Sequence, residues 1–240
     1  MKTRLDRLMV ERGLAGSREK AQALIMAGEV RVGGQKALKS GQAVEGDAAV
    51  EVLSRPPYVG RGGFKLAAAL GHFSIDAAGA VCLDVGASTG GFTDALLQAG
   101  AARVHAVDVG AGQLDWKLRS DPRVVVHDRL NARELSPSDI GEPVALAVCD
   151  VSFISVTLIL PAVCPLLEPA GQMVILIKPQ FEVGKGQVGK GGIVRDPDLH
   201  AAACSRVTEA VRQFGFETAI MESPILGAEG NREFLLHARH

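Results

Sequence analysis

The sequence predicts a doubly wound, mostly parallel α/β sheet preceded by a small α+β module. Three observations carry this expectation: apolar runs alternate with helical stretches from residue 63 onward, a glycine-rich turn joins the first run to a helix, and two prolines divide this region from a differently patterned N-terminal segment. The N-terminal segment opens with Leu5, Leu8 and Met9 at helical spacing between Arg4 and Arg12, closed by Gly13. Ser17 is placed to cap a second helix that runs to Met26 and stops at Gly28. Val30 and Val32 alternate with polar residues before Gly33-Gly34, a hairpin signal, and residues 48–53 supply another short strand. Ser54-Arg55-Pro56-Pro57-Tyr58 reads as a linker, because prolines exclude helix and restrict the residues before them. The expected division is therefore 1–57 and 58–240.

In the second part, strands are expected around 80–85, 103–108, 123–126, 144–149 and 171–178, with helices around 63–71, 91–99, 113–119, 154–167 and 197–214. Residues 216–221 and 232–237 lie too close together for a helix between them and predict an antiparallel hairpin at the sheet edge. Ligands of open α/β sheets gather beyond the carboxyl ends of the strands. Asp84, Asp108, Asp128, Asp150 and Lys178 each follow or nearly follow an apolar run, so all five are expected in one crevice.

Composition bounds the function. With 47% hydrophobic and 22% charged residues the 240-residue chain reads as an ordinary globular protein rather than a disordered or fibrous one. Its net charge of −1 conceals an asymmetry: residues 1–40 carry nine Lys or Arg against four Asp or Glu, and residues 61–240 carry 16 against 20. The basic end is the candidate polyanion contact, the alternative being a solvated face without a partner. Cys82, Cys149, Cys164 and Cys204 form no C-x-x-C pair and read as reduced thiols of a cytoplasmic protein. The first residues lack the apolar stretch of a signal peptide. The most apolar region, 144–167, is interrupted by Asp150, Pro161 and Pro165, so no membrane span of ~20 apolar residues is expected. The six histidines show no metal-like spacing, and no metal is expected.

The segment Leu83-Asp84-Val85-Gly86-Ala87-Ser88-Thr89-Gly90-Gly91-Phe92 is the most informative motif: an apolar run delivers a carboxylate and three glycines to the start of a helix. Such a turn can be no more than a tight connection. Asp108, however, ends the next strand at roughly the 20-residue spacing of an acid that grips ribose hydroxyls. Gly86-x-x-x-Gly90-Gly91 departs from the G-x-G-x-x-G pattern that admits a pyrophosphate, which favours a nucleoside ligand without a diphosphate; S-adenosylmethionine fits. Gly184 to Gly191 imitates a phosphate-binding P-loop, but Gly191 stands where Ser or Thr would hold Mg²⁺, so nucleotide hydrolysis is rejected. Lys185 and Lys190 make this segment either a lid over RNA phosphates or a plain flexible loop.

With these residues placed, the chain resembles the TlyA family, haemolysin A-like ribosomal RNA 2′-O-ribose methyltransferases with an FtsJ-type catalytic part. The N-terminal motifs are Arg4-Leu5-Asp6, Ser17 to Ala21 and Gly28 to Gly33, similar to a small RNA-binding module first seen in a ribosomal protein. The later motifs are Arg61 to Leu66, Asp84 to Phe92, Asp108 to Leu114, Asp150 to Ser155, Lys178 to Glu182 and Gly230 to Phe234. The resemblance implies a catalytic tetrad of Lys65, Asp150, Lys178 and Glu233, with nearby Glu229 outside the matching position. It also implies S-adenosylmethionine as cofactor, ribosomal RNA and ribosomal subunits as partners, and cytidine as the target.

Methyl transfer to a ribose hydroxyl requires alignment of two partners and removal of a proton. Lys178 is the expected base, since desolvation after Met173 to Ile177 and repulsion from Lys65 both favour the neutral amine. Asp150 and Glu233 are expected to orient the lysines and the hydroxyl. For the cofactor, Asp108 is expected on the ribose hydroxyls, Asp128 at the adenine amino group, and Gly86 and Gly90 beside the methionine part, with Ser88, Gly91 and Phe92 completing the turn. Asp84 fixes either the turn or the cofactor's ammonium. Arg4, Arg7, Arg18, Lys20 and Arg31 are candidate phosphate contacts, which position RNA without reading its sequence. One Trp and one Tyr argue against an extended stacking platform. Two other readings stand beside this one: a non-catalytic RNA-binding or ribosome-assembly protein, and a haemolysin.

Overall fold

The computed structural model describes residues 2–53, 57–227 and 229–240; most of the expected linker, Ser54 to Pro56, lies outside them. The chain folds as two compact units, Met1–Pro57 and Tyr58–His240.

The first unit runs β1 (Lys2–Arg4), α1 (Leu5–Glu11), α2 (Arg18–Met26), β2 (Val30–Val32), β3 (Gln35–Lys36), β4 (Ala43–Glu45) and β5 (Val50–Val52). The Ser17 hydroxyl accepts the Lys20 N–H and so caps α2. Gly33 and Gly34, with φ of +57° and +79°, make the hairpin between β2 and β3, and β5 pairs on the other side of β2. β1 pairs with β4, and this two-stranded ladder had no signal in so short a stretch. Leu5, Leu8, Met9, Ala21, Ile25 and Val30 form the core. Beside it the buried Asp6 carboxylate accepts hydrogen bonds from Arg4, Arg18 and Gln22 at 2.9–3.1 Å, which joins α1 to α2.

The second unit continues with α3 (Gly62–His72), β6 (Val81–Val85), α4 (Gly91–Gln98), β7 (Arg103–Asp108), α5 (Trp116–Arg119), β8 (Val124–Asp128), α6 (Pro137–Ile140), β9 (Val144–Cys149), α7 (Leu160–Val163), β10 (Leu167–Ile177), α8 (Pro179–Glu182), α9 (Pro197–Arg212), β11 (Glu217–Glu222) and β12 (Phe234–Arg239). One seven-stranded sheet has the order β11-β12-β10-β9-β6-β7-β8. Five strands are parallel, and β12 runs antiparallel between β10 and β11. The expected edge hairpin is present, with its second strand as the inner one. Both faces are buried along β6, β7, β9 and the 173–177 part of β10, which is why these strands read as nearly unbroken apolar runs, whereas β8 at the edge leaves Val125 exposed.

The single helix expected over 154–167 is instead a chain of short turns, 156–158, 160–163 and 164–166, because Pro161 and Pro165 each start a turn and withhold the N–H a longer helix needs. The helix expected over 113–119 contracts to α5, where Asp115 caps the Lys117 N–H at 2.9 Å. Strand order reverses between β6 and β9, so the carboxyl ends of those strands face an open switch point.

Candidate active site

At the switch point lies a cleft of about 470 Å³. Its walls come from Gly86 and Ser88 of the glycine turn, 107–109 at the end of β7, Gln113, residues 130–133 and residues 150–154. A recess of about 110 Å³ shares Gly86, Ser88 and Asp150 and adds Gly62, Gly91 and Phe92.

Each glycine of the turn has its own reason. Gly86, at φ +87°, would bring a Cβ within 2.5 Å of the Asp150 carbonyl, so its lack of a side chain lets the turn press on the end of β9. Gly90, at φ +98°, makes room for Leu114 and Leu118. It is a packing position for α5, not a wall of the cleft as expected. Gly91 approaches the backbone of the loop into α3, where a Cβ would lie 3.0 Å from the Gly63 nitrogen.

Asp108 stands at the cleft, its two oxygens accepting the N–H groups of Ser88 at 2.8 Å and Gly110 at 2.7 Å. A carboxylate has about four lone-pair sites, so capacity remains for ribose hydroxyls. Asp84 and Asp128 depart from the expected convergence. Asp84 is buried behind the turn, where it accepts the Thr93 hydroxyl at 2.6 Å and its other oxygen, Oδ1, meets no donor among the described residues. Burial pushes its carboxyl up to about 7, Asp150 and Asp108 push the same way, and Thr93 opposes them. Asp128 turns to Arg119 at 2.7 Å, which holds its carboxyl below the usual range. Neither acid lines the cleft; the wall beyond β8 is made by Leu130, Asn131, Ala132 and Arg133.

The four tetrad residues form two ion pairs. Lys178 Nζ lies 2.6 Å from Asp150 Oδ1 and donates to Ser152 Oγ at 2.7 Å. Lys65, on α3, is bonded to Glu233 just ahead of β12, both side chains buried. Arg61 steadies the intervening segment by donating to the Leu226 carbonyl at 2.9 Å. The charge of Lys65 is thus met by Glu233, which corrects the expectation that it would drive Lys178 toward the neutral amine. Glu229 instead lies beside Gly192, which directly follows the segment that imitates a P-loop. That segment makes two short turns, and buried Asn231 ties its end by accepting from the Val194 N–H and donating to the Gly192 carbonyl, each at 2.9 Å.

Sequence reasoning missed Val109, Gln113, Asn131 and Phe153. The available signal was their position in the loops just beyond strand ends. Phe153 is 87% exposed at φ +67°, its ring 5.4 Å from that of Phe181. Among the RNA-contact candidates, Arg4 and Arg18 converge on Asp6 and Arg7 pairs with Glu11 at 3.0 Å. Lys20 and Arg31 are exposed, without an ion-pair partner among the described residues. No cluster of His, Cys, Asp and Glu suited to a metal ion occurs among the described residues, and none of their helices is long and apolar enough to cross a membrane.

The cleft suits S-adenosylmethionine chemically: Val109, Leu130, Ala132 and Ile154 offer apolar walls to a base, and Asp108 offers a carboxylate to a ribose. Comparison with known proteins agrees with this chemistry. The FtsJ-like methyltransferase family matches residues 58–240, and the S4 domain matches residues 3–50. The 16S/23S rRNA (cytidine-2′-O)-methyltransferase TlyA of Mycobacterium tuberculosis is 49% identical over 99% of this chain and 90% of its own length. Hemolysin A of Brachyspira hyodysenteriae is 42% identical over 98% of each chain. A solved hemolysin-designated structure from Streptococcus thermophilus, 42% identical, covers 99% of this chain and 88% of its own with a TM-score of 0.76. With both domains matched in order and the identity spread along almost its whole length, the chain belongs to the TlyA family of FtsJ-like methyltransferases.

Proposed function

We propose that this protein methylates the 2′-hydroxyl of a cytidine ribose in ribosomal RNA, acting in the cytoplasm on ribosomal subunits, with S-adenosylmethionine in the cleft beside Asp108. The observation that carries the reading is the Lys178–Asp150–Ser152 cluster, two of whose members stand on the cleft wall. The bound cofactor supplies an electrophilic methyl group. The chain's own residues align the hydroxyl and move its proton.

Lys178 receives that proton: its ammonium, paired with Asp150, first gives up one proton to solvent, the amine so formed takes the proton of the ribose hydroxyl, and Asp150 at 2.6 Å stabilises the ammonium that results. Ser152 accepts one Nζ hydrogen and fixes the amine's direction. Lys65, held by Glu233 in a buried pair, is a fixed donor toward the ribose. Asp108 holds the cofactor ribose, while Gly86, Ser88, Gly91 and Phe92 shape the turn around the methionine part. Lys20 and Arg31 contact RNA phosphates, and Arg4, Arg7 and Arg18 supplement them through whatever hydrogen-bonding capacity their carboxylate partners leave.

Labelled cofactor incubated with intact ribosomal subunits is expected to label RNA ribose at cytidine. Lys178→Ala is expected to lower the turnover rate by about 10²–10⁴-fold. Full activity in that variant would overturn the proton-transfer assignment, and RNA binding with no transfer by the wild-type protein would favour a non-catalytic binding role.

A further inference from the structure

We infer that Glu182, which does not border the cleft, is a positioning residue that holds the Asp150 loop against Lys178. The inference rests on the reading of Lys178 and Asp150 as the transfer centre. Glu182 ends α8, the short helix that begins one residue after Lys178. Its carboxylate is buried, yet the partners it meets are neutral: it accepts the Ser155 hydroxyl at 2.5 Å and the Val156 N–H at 2.8 Å. Arg206 of α9 binds the backbone carbonyl of the same residue at 2.8 Å.

The loop from Asp150 to Val156 is consequently fastened at two points to the segment from Lys178 to Glu182. At one end Lys178 meets Asp150 and Ser152; at the other, Glu182 meets Ser155 and Val156. Between these points Phe153 takes a left-handed backbone conformation, which is costly for an aromatic residue and persists only where the surroundings impose it. A buried carboxylate is itself expensive unless its acceptors are filled. The arrangement is therefore a deliberate fastening of one loop: the chain buries an acid so that the residues carrying Asp150 and Ser152 keep one geometry relative to Lys178. Loss of that geometry acts on turnover, since small misplacements of reacting groups cost rate steeply.

The test compares Glu182→Ala with Glu182→Gln in the full chain, reading kcat and RNA KM for methyl transfer together with amide hydrogen exchange over 151–156. Glu182→Ala is expected to lower kcat by about ten- to a hundredfold, to change RNA KM by less than about threefold, and to speed exchange in the loop. Glu182→Gln keeps an acceptor for the Val156 N–H and turns an amide N–H toward the Ser155 oxygen, which reverses the direction of that hydrogen bond without losing it, so it is expected to recover most of the kcat and the slow exchange. Ser155→Ala, which removes one donor, provides a milder version should Glu182→Ala fail to fold. Unchanged kcat and exchange in the alanine variants would overturn the inference, as would a glutamine variant as impaired as alanine. Failure of the wild-type protein to methylate RNA would overturn the proposed function instead, and the exchange measurements would still decide whether Glu182 fastens the loop.

Discussion

Asp84 shows how burial converts a motif residue into a measurable property. Its carboxyl is pushed up to about 7, above the value near 4 of an unfolded aspartate, so the folded state holds the proton more tightly than the unfolded one. The stabilising contribution is complete below about pH 4 and is lost as pH rises toward 7. Urea unfolding of the wild-type protein should show this decline, with a slope of up to about 1.4 kcal/mol per pH unit in that window. Asp84→Asn keeps an acceptor for the Thr93 hydroxyl and is expected to flatten the profile; an unchanged slope would place the titration elsewhere. The same residue marks where sequence reasoning stopped. Its strand-end position was readable, but its direction, away from the cleft and toward α4, depends on which sheet face that helix covers.

At the scale of elements, the glycine turn and its flanking helices separate two kinds of glycine. Gly90 lies at φ +98° against Leu118 and Leu114, so Gly90→Ala adds both strain and overlap. A loss of about 1–3 kcal/mol is expected. Gly71, inside α3, has open space around a Cβ, and Gly71→Ala is expected to stabilise by about 0.5–1 kcal/mol. Thermal melts of the two variants should therefore shift in opposite directions, and a neutral Gly90→Ala would contradict the packing role. Long apolar elements were legible because a parallel strand buried on both faces leaves an unbroken run. The region 154–167 was not, since an apolar run alone does not tell one helix from successive proline-started turns.

For the whole molecule, the positive charge of the N-terminal segment and the site of the second unit call for different measurements. Arg4 and Arg18 are committed to Asp6, whose carboxyl they and Gln22 hold well below the usual range against the opposing effect of burial, so their substitution tests folding as much as RNA contact. Lys20 and Arg31 provide the cleaner experiment. Their joint replacement by alanine is expected to weaken RNA binding and to reduce the slope of log affinity against log salt by up to about 1.8; an unaltered slope would remove both from the RNA surface. The order of strands and helices, the two-part pattern and the acids at strand ends could all be read from the chain, because periodicity, proline and glycine act within a few residues of themselves. The partners of the charged groups could not. Lys65 and Glu233 meet across 168 positions, Asp128 turns to Arg119, and Asp6 gathers Arg4 and Arg18. These pairings follow from helix packing and from how loops fold over strand ends, which no local pattern encodes, and they determine which charges remain for chemistry.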